Sequence, residues 1–226
     1  MSGRAAPGGD HARRPRFASV VLDVDSTLSG IEGIDWLAAL RGPEMAGRIS
    51  ALTDRAMRGE ITLDSVYGER LRMIAPTRDE VGALGRRYVE ALAPGAAETI
   101  ARLRKAGVSI ALVSGGLREA IVPLATLVGA AGALRAVSIR FDERGNYAGF
   151  DDRSPLATQR GKAQVVRELA LGAPVLGVGD GATDLAMKPA VSAFGAYIGF
   201  ARREPVVRGA DHIIESFAQL EALVLG

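Results

Sequence analysis

The sequence predicts an α/β fold: a Rossmann-like parallel-sheet core with a small helical bundle inserted after its first strand. Three observations predict it. A short apolar run, Val20-Val21-Leu22, ends in two carboxylates one residue apart, Asp23 and Asp25, and buried parallel strands end in this way at the ligand-binding edge of an open sheet. Residues 30–93 then show helical patterns and no convincing strand. Beyond Pro94-Gly95, strand and helix patterns alternate, which implies right-handed βαβ units.

The first strand is expected over residues 17–23. Side chains alternate along a strand, so Asp23 and Asp25 can face the same pocket. Two anions so close repel unless a cation or a shared proton compensates. Asp, Ser and Thr also build Asx turns and helix N-caps, a purely local use of the same residues. Within 30–93, Met45, Ile49, Leu52 and Ala56 mark one helical face. Leu63, Val66, Tyr67 and Ile74 form another apolar stripe, with Arg70 at its centre. An arginine on a buried face needs an anionic partner, either a ligand or an internal acid. Glu32 starts the helix 33–41, where an acid is ordinary. An insertion placed directly after the two carboxylates lies over them as a lid. A helix over 95–106 stops at Gly107, and 108–113 is an apolar strand. Helix 117–128 follows, then a hairpin over 139–150 turning at Arg144-Gly145-Asn146. Helix 161–171 closes at Leu171-Gly172, and 174–178 is again a strand. The domain layout is therefore a basic tail over 1–16, a core over 17–29 and 94–226, and a helical bundle over 30–93.

Composition narrows the function classes. The chain has 226 residues, 48% of them hydrophobic, enough for one large domain or a core with an insertion. No apolar run approaches bilayer-spanning length. Residues 1–16 hold Arg4, Arg13, Arg14 and Arg16 against Asp10, so the formal charge of +2 belongs to the tail and the remainder is near neutral. No basic stripe or aromatic platform suggests nucleic-acid binding. The tail reads as disordered and lacks the apolar segment of a secretory signal. Cysteine is absent, which removes disulfides and thiol catalysis and fits the cytoplasm.

Four strand or helix ends carry the chemistry. The first supplies Asp23 and Asp25. The second is Ser114-Gly115-Gly116, a hydroxyl and two glycines before a helix, read either as a phosphate cradle or as a capped turn. The third is Lys162 at the start of its helix, a placement that opposes the helix dipole and is better explained by an anion nearby than by a surface role. The fourth is Gly179-Asp180-Gly181-Ala182-Thr183-Asp184. Carboxylates with no His or Cys nearby indicate a hard cation, most simply Mg²⁺.

In that order, these motifs make the chain resemble the phosphatases of the haloacid dehalogenase superfamily over residues 17–217, in particular those acting on phosphoserine. The segment Gly145-Asn146-Tyr147-Ala148-Gly149-Phe150 is similar to the hairpin of that group. The resemblance implies a core of the haloacid dehalogenase type with a helical cap, and hydrolysis of L-3-phosphoserine to L-serine and phosphate, the last step of serine biosynthesis. It implies Asp23 as the nucleophile forming an aspartyl-phosphate and Asp25 as acid and then base. It implies Ser114, Gly115, Lys162 and Thr183 around the phosphoryl group, and Mg²⁺ held by Asp23, the Asp25 carbonyl and Asp180, with Asp184 steadying that shell. Glu32 matches the residue for the substrate amine and Arg70 the one for its carboxylate. The expected partner is a small phosphomonoester, with no nucleic acid or membrane, and the chain is expected to act as a monomer or homodimer.

Leu63 stands where the group commonly has an aromatic residue, and Val137 where many members have asparagine. Met57 matches a pocket-lining position, while Trp36 reads as packing. His11 and His212 have no motif around them and no expected role. Three other readings remain: a relative hydrolysing another small phosphomonoester, a phospho-acceptor receiver module, and a phosphate-binding protein without turnover.

Overall fold

The computed structural model describes residues 14–226. Most of the expected tail, including His11, lies outside the described residues. Arg16 belongs to the folded part, since its backbone N–H donates to the Val224 carbonyl at 2.8 Å.

In chain order the elements are β1 (Ser19–Leu22), α1 (Gly33–Ala39), α2 (Pro43–Met57), α3 (Tyr67–Ile74), α4 (Arg78–Glu90), α5 (Ala96–Lys105), β2 (Ser109–Leu117), α6 (Arg118–Leu127) and β3 (Leu134–Val137). A hairpin of β4 (Ile139–Phe141) and β5 (Tyr147–Phe150) follows. The chain then continues through α7 (Gly161–Glu168), β6 (Val175–Gly179), α8 (Ala182–Leu185), β7 (Ala193–Tyr197), α9 (Glu204–Gly209), β8 (His212–Ile214) and α10 (Phe217–Leu225). Six strands form a parallel sheet in the order β3-β2-β1-β6-β7-β8. From β1 the chain moves outward through β2 and β3, then returns to the other flank for β6. The order reverses beside β1, and the crevice at such a switch point is where open α/β sheets take ligands.

The central strands are apolar on both faces, as a sheet covered by helices requires. Val20, Val21, Leu22, Leu112, Val113, Leu176 and Val178 are all buried. The residues between β1 and α5 form helices on the C-terminal side of the sheet. The two crossings to them are stitched together: Gly30 N–H donates to the Ala91 carbonyl at 2.9 Å and Ala93 N–H to the Leu28 carbonyl at 2.9 Å. On the far side, Tyr67 donates its hydroxyl to the Gly115 carbonyl at 2.7 Å. Leu63 N–H donates to the Gln159 side chain at 3.2 Å, and Gln159 N–H to Asp64 at 3.1 Å. The hairpin supports the insert from beside it, with the Phe150 and Tyr67 rings 5.3 Å apart.

Several boundaries differ from the sequence expectation. The strand expected over 108–113 runs on to Leu117, so Ser114, Gly115 and Gly116 stay extended with a register shift against β3, and α6 begins only at Arg118. The two glycines are therefore part of a strand end and not of a helix N-terminus. Helix α7 stops at Glu168, short of Gly172. On α2 Ile49 and Ala56 are buried as expected, together with Thr53, while Met45 packs half-buried against the core and Leu52 is half-buried at the edge of this face. The stripe from Leu63 to Ile74 is buried as expected, but a short 3₁₀ turn at Leu63–Ser65 precedes α3 in place of one continuous helix.

Candidate active site

Strand β1 lies between β2 and β6, so the residue after it meets both neighbours. Asp23 N–H continues the ladder to the Val178 carbonyl at 3.0 Å, and its side chain is 9% exposed. Lys162 reaches it from the first turn of α7. That approach needs Gly161, because a β-carbon there would overlap the Pro155 carbonyl. Lys162 Nζ lies 2.7 Å from Asp23 Oδ1 and 2.5 Å from Asp184 Oδ1. Burial works against the Lys162 charge, and Asp184 and Asp23 outweigh it, holding the ammonium above its usual range. Asp184 is pushed up to about 7, first by burial and then by Asp23. Its other oxygen accepts from Gly181 N–H at 2.9 Å. Lys162 is thus a structural counter-ion as well as a site cation.

The turn after Asp25 is tight, and Ser26 sits at φ 50°, a left-handed conformation that a non-glycine residue adopts only where its surroundings fix it. Its amide donates to the Ile31 carbonyl at 3.2 Å and its hydroxyl to Glu32 at 2.7 Å. Asp25 Oδ1 accepts from Gly33 N–H at 2.6 Å and from the Tyr88 hydroxyl at 2.7 Å. Asp25 Oδ2 accepts from the Ser114 hydroxyl at 3.2 Å. Burial, reinforced by Asp23, raises Asp25 to about 6.

Asp23, Asp180 and Asp184 offer carboxylate oxygens all within 4.8 Å of one another. Asp23 Oδ1 is buried without an aligned hydrogen-bond donor, despite the Lys162 charge beside it. Asp180 accepts from Thr27 at 3.2 Å and pairs with Arg203. Asp23 and Asp180 line the cavity, while Asp184, its two oxygens taken by Lys162 and the Gly181 amide, lies behind Lys162. An all-oxygen donor set with an orphaned carboxylate oxygen fits a hard divalent cation.

The far end of the same cavity is lined by the insert. Arg70 is 3% exposed and makes no ion pair among the described residues. Its Nη1 donates to the Thr53 hydroxyl at 2.7 Å, which donates to Asp35 at 2.5 Å, and its Nε is buried with no partner. An internal acid thus meets Arg70 only through a hydroxyl. Burial pulls the Arg70 guanidinium below its usual range. Glu32 stands opposite in charge. Loss of solvent, then Asp25, raises it to about 8, although its side chain keeps 27% exposure toward the opening.

One cavity is lined by Asp23, Asp25, Glu32, Arg70, Ser114, Gly115, Lys162, Asp180 and Thr183, which brings together nine of the ten residues singled out from the sequence. The tenth, Asp184, lies behind Lys162. Met57 and Leu63 also line it, whereas Val137 does not. Trp36 packs against the core. His212 starts β8, its ring centroid 6.5 Å from that of Phe17, away from the cavity. Sequence reasoning missed Tyr88, Thr53, Asp35 and Arg203. Arg203 could not be told from its neighbour: Arg202 pairs outward with Glu204, while Arg203 turns in toward Asp180 and Glu32.

With this geometry in view, residues 20–188 match the haloacid dehalogenase-like hydrolases. The chain is 35% identical over 206 residues to a phosphoserine phosphatase of Rattus norvegicus, covering 89% of this chain and 91% of the relative. A phosphoserine phosphohydrolase-like protein from Francisella tularensis superposes with a TM-score of 0.84 at 24% identity, over 91% of this chain and 98% of that one. A structure described as a phospho-aspartyl intermediate analogue of phosphoserine phosphatase gives 0.70 at 23% identity, over 92% and 98%. These two superpositions establish likeness of fold.

Proposed function

The chain belongs to the haloacid dehalogenase-like hydrolases, and on that premise we propose that it hydrolyses L-3-phosphoserine to L-serine and phosphate with Mg²⁺. The observation that carries the substrate is Arg70: a buried cation with an unpartnered Nε and no carboxylate against it, across one cavity from a raised Glu32. A buried charge without a partner is costly, and a zwitterion bearing phosphate supplies one to Arg70 and brings an ammonium to Glu32, which otherwise has the Ser26 hydroxyl and a 3.5 Å contact with Arg203. Its carboxylate meets Arg70, its ammonium meets Glu32, and its phosphate lies against Asp23.

Asp23 is the nucleophile, placed at a strand end and held by Lys162. Asp25, raised to about 6, protonates the departing seryl oxygen and then takes a proton from the hydrolytic water, a duty suited to a carboxyl titrating near neutral pH. Ser114, the Gly115 amide and Thr183 address phosphoryl oxygens. Lys162 gives one of its three N–H donors to Asp184, sets its charge beside Asp23, and keeps donors for phosphate. Mg²⁺, held by Asp23, the Asp25 carbonyl and Asp180, would neutralise charge on the transferring group. The helices of 30–93 act as a cap that supplies specificity, with Leu63 among the residues lining the cavity.

Arg70→Ala tests the substrate. Loss of one or two charge-assisted hydrogen bonds lowers kcat/KM for phosphoserine by about 10–100-fold. Phosphoethanolamine, which has the amine and lacks the carboxylate, changes far less. Equal losses on both substrates, with a lowered melting temperature, would mean that Arg70 is structural and would remove the main reason for preferring phosphoserine.

Metal is tested by melting curves. Asp25, Asp184 and Glu32 rise from 3.8, 3.8 and 4.5 to about 6, 7 and 8. Their folded values exceed the unfolded ones, so the metal-free fold binds protons that the unfolded chain releases. Its stability therefore falls as pH rises between about 4 and 8. Mg²⁺ replaces those protons, so the rise in Tm that it gives should be small near pH 5 and larger near pH 8. Chelated enzyme should be inactive throughout. A rise in Tm that does not depend on pH, or full activity in chelator, contradicts the metal assignment.

A further inference from the structure

Tyr88 lies on the last full turn of α4, where the insert returns to the core, and it is fully buried. Its carbonyl accepts from the Ser29 hydroxyl at 3.1 Å, which ties this turn to the outgoing crossing. Its hydroxyl is 2.7 Å from Asp25 Oδ1, which also takes Gly33 N–H at 2.6 Å. Gly33 leaves the room for this meeting, since a β-carbon there would overlap the Tyr88 hydroxyl and lie 3.2 Å from Asp25 Oδ1. Two donors fill the two lone pairs of Oδ1. Oδ2 faces the other way, against Ser114 and Gly116 at the phosphate side of the cavity.

We propose that Tyr88 is a positioning residue for the acid–base step: with the Gly33 amide it saturates Asp25 Oδ1 and so confines the transferable proton to Oδ2, on the substrate side. The inference rests on the phosphatase reading above. In the first step an Asp23 oxygen bonds to phosphorus, the bond from phosphorus to the ester oxygen breaks, and the Oδ2 proton passes to that oxygen. In the second, water bonds to phosphorus and the bond to Asp23 breaks, returning its electron pair to the carboxylate. Oδ2 receives the proton that the water loses. Without Tyr88, Oδ1 has a free lone pair, and a proton resting there points at the helix and not at the leaving group. Between a phenol and a carboxylate oxygen the hydroxyl is the donor of the pair.

The test is Tyr88→Phe, which keeps the ring and removes the hydroxyl. Phenyl phosphate and p-nitrophenyl phosphate differ in how much the departing oxygen needs a proton. Neither carries the amine or carboxylate of phosphoserine. The variant should lower kcat/KM by about 10–100-fold for phosphoserine and phenyl phosphate, the scale of one hydrogen bond to a charged group. For p-nitrophenyl phosphate the loss should stay within about threefold, because a good leaving group departs without help. Equal losses on all three esters would show a merely structural role and overturn the proposal, as would no loss on any. A wild-type enzyme that turns over the aryl esters and leaves phosphoserine untouched would overturn the substrate reading and leave the Tyr88 result standing.

Discussion

Asp23→Asn should lower kcat/KM by at least about 10³-fold, the scale on which loss of a covalent nucleophile is felt, while the fold persists. An amide oxygen carries no negative charge and is a poor nucleophile at phosphorus, and the amide keeps the shape of the carboxylate at the end of β1. The stability side is equally specific. The Asp23 charge raises both Asp25 and Asp184, so neutralising it relieves repulsion, and the chelated variant should melt no lower than the chelated wild type. Acid quenching during turnover should trap a phosphorylated protein in the wild type and none in the variant. Activity above about a hundredth of wild type, in protein shown free of deamidation, would remove Asp23 from the nucleophile role.

Lys162→Met should be the most destabilising single change in the site. The side chain is 4% exposed and lies between Asp23 and Asp184 at 2.7 and 2.5 Å. Met fills the volume but leaves two buried carboxylates facing each other without a cation. Breaking a buried pair in this way costs about 3–5 kcal/mol, or roughly 6–20 °C in Tm for a chain of this size. Activity should fall by about 10²–10³-fold through the lost charge stabilisation. Mg²⁺ should recover part of the stability and little of the activity, because it restores positive charge without restoring the donor. A variant that melts within about 2 °C of wild type in chelator would show that Lys162 does not hold the two acids together.

Asp23, Ser114 and Asp180 were legible because each stands where an apolar strand changes abruptly to Asp, Ser or Gly, Lys162 because it is a cation opening a helix, and Arg70 because it is a charge within an apolar stripe. The run ending at Asp23 and the one ending at Asp180 admit few other uses. Periodicity fails where one residue serves two ends. Tyr88 reads as one more member of the apolar face of α4 with Val81 and Leu84, and nothing local says that its hydroxyl meets Asp25 63 positions away. Thr53 reads as a polar interruption of α2, yet it is buried because it links Asp35 to Arg70. The strand end at Ser114-Gly115-Gly116 was misread for a related reason. Two glycines before an amphipathic run suggest a helix start, while the pairing of Leu117 with Val137 keeps the backbone extended. The short outer strands β3 and β8 are set by the neighbours they pair with, which their own few residues do not announce.

The hydroxyl of Tyr67 on the Gly115 carbonyl, together with the Gln159 contacts to Leu63 and Asp64, has a consequence for timing. These three bonds act as a latch on the side of the insert away from its crossings. At about 0.5–1.5 kcal/mol net each, they hold the shut arrangement over an unlatched one by roughly tenfold to a thousandfold. One of the three is made to the loop proposed to grip phosphate. Opening the insert therefore breaks a bond to the Gly115 strand end in the same motion, which couples passage into and out of the cavity to the backbone that faces the phosphoryl group.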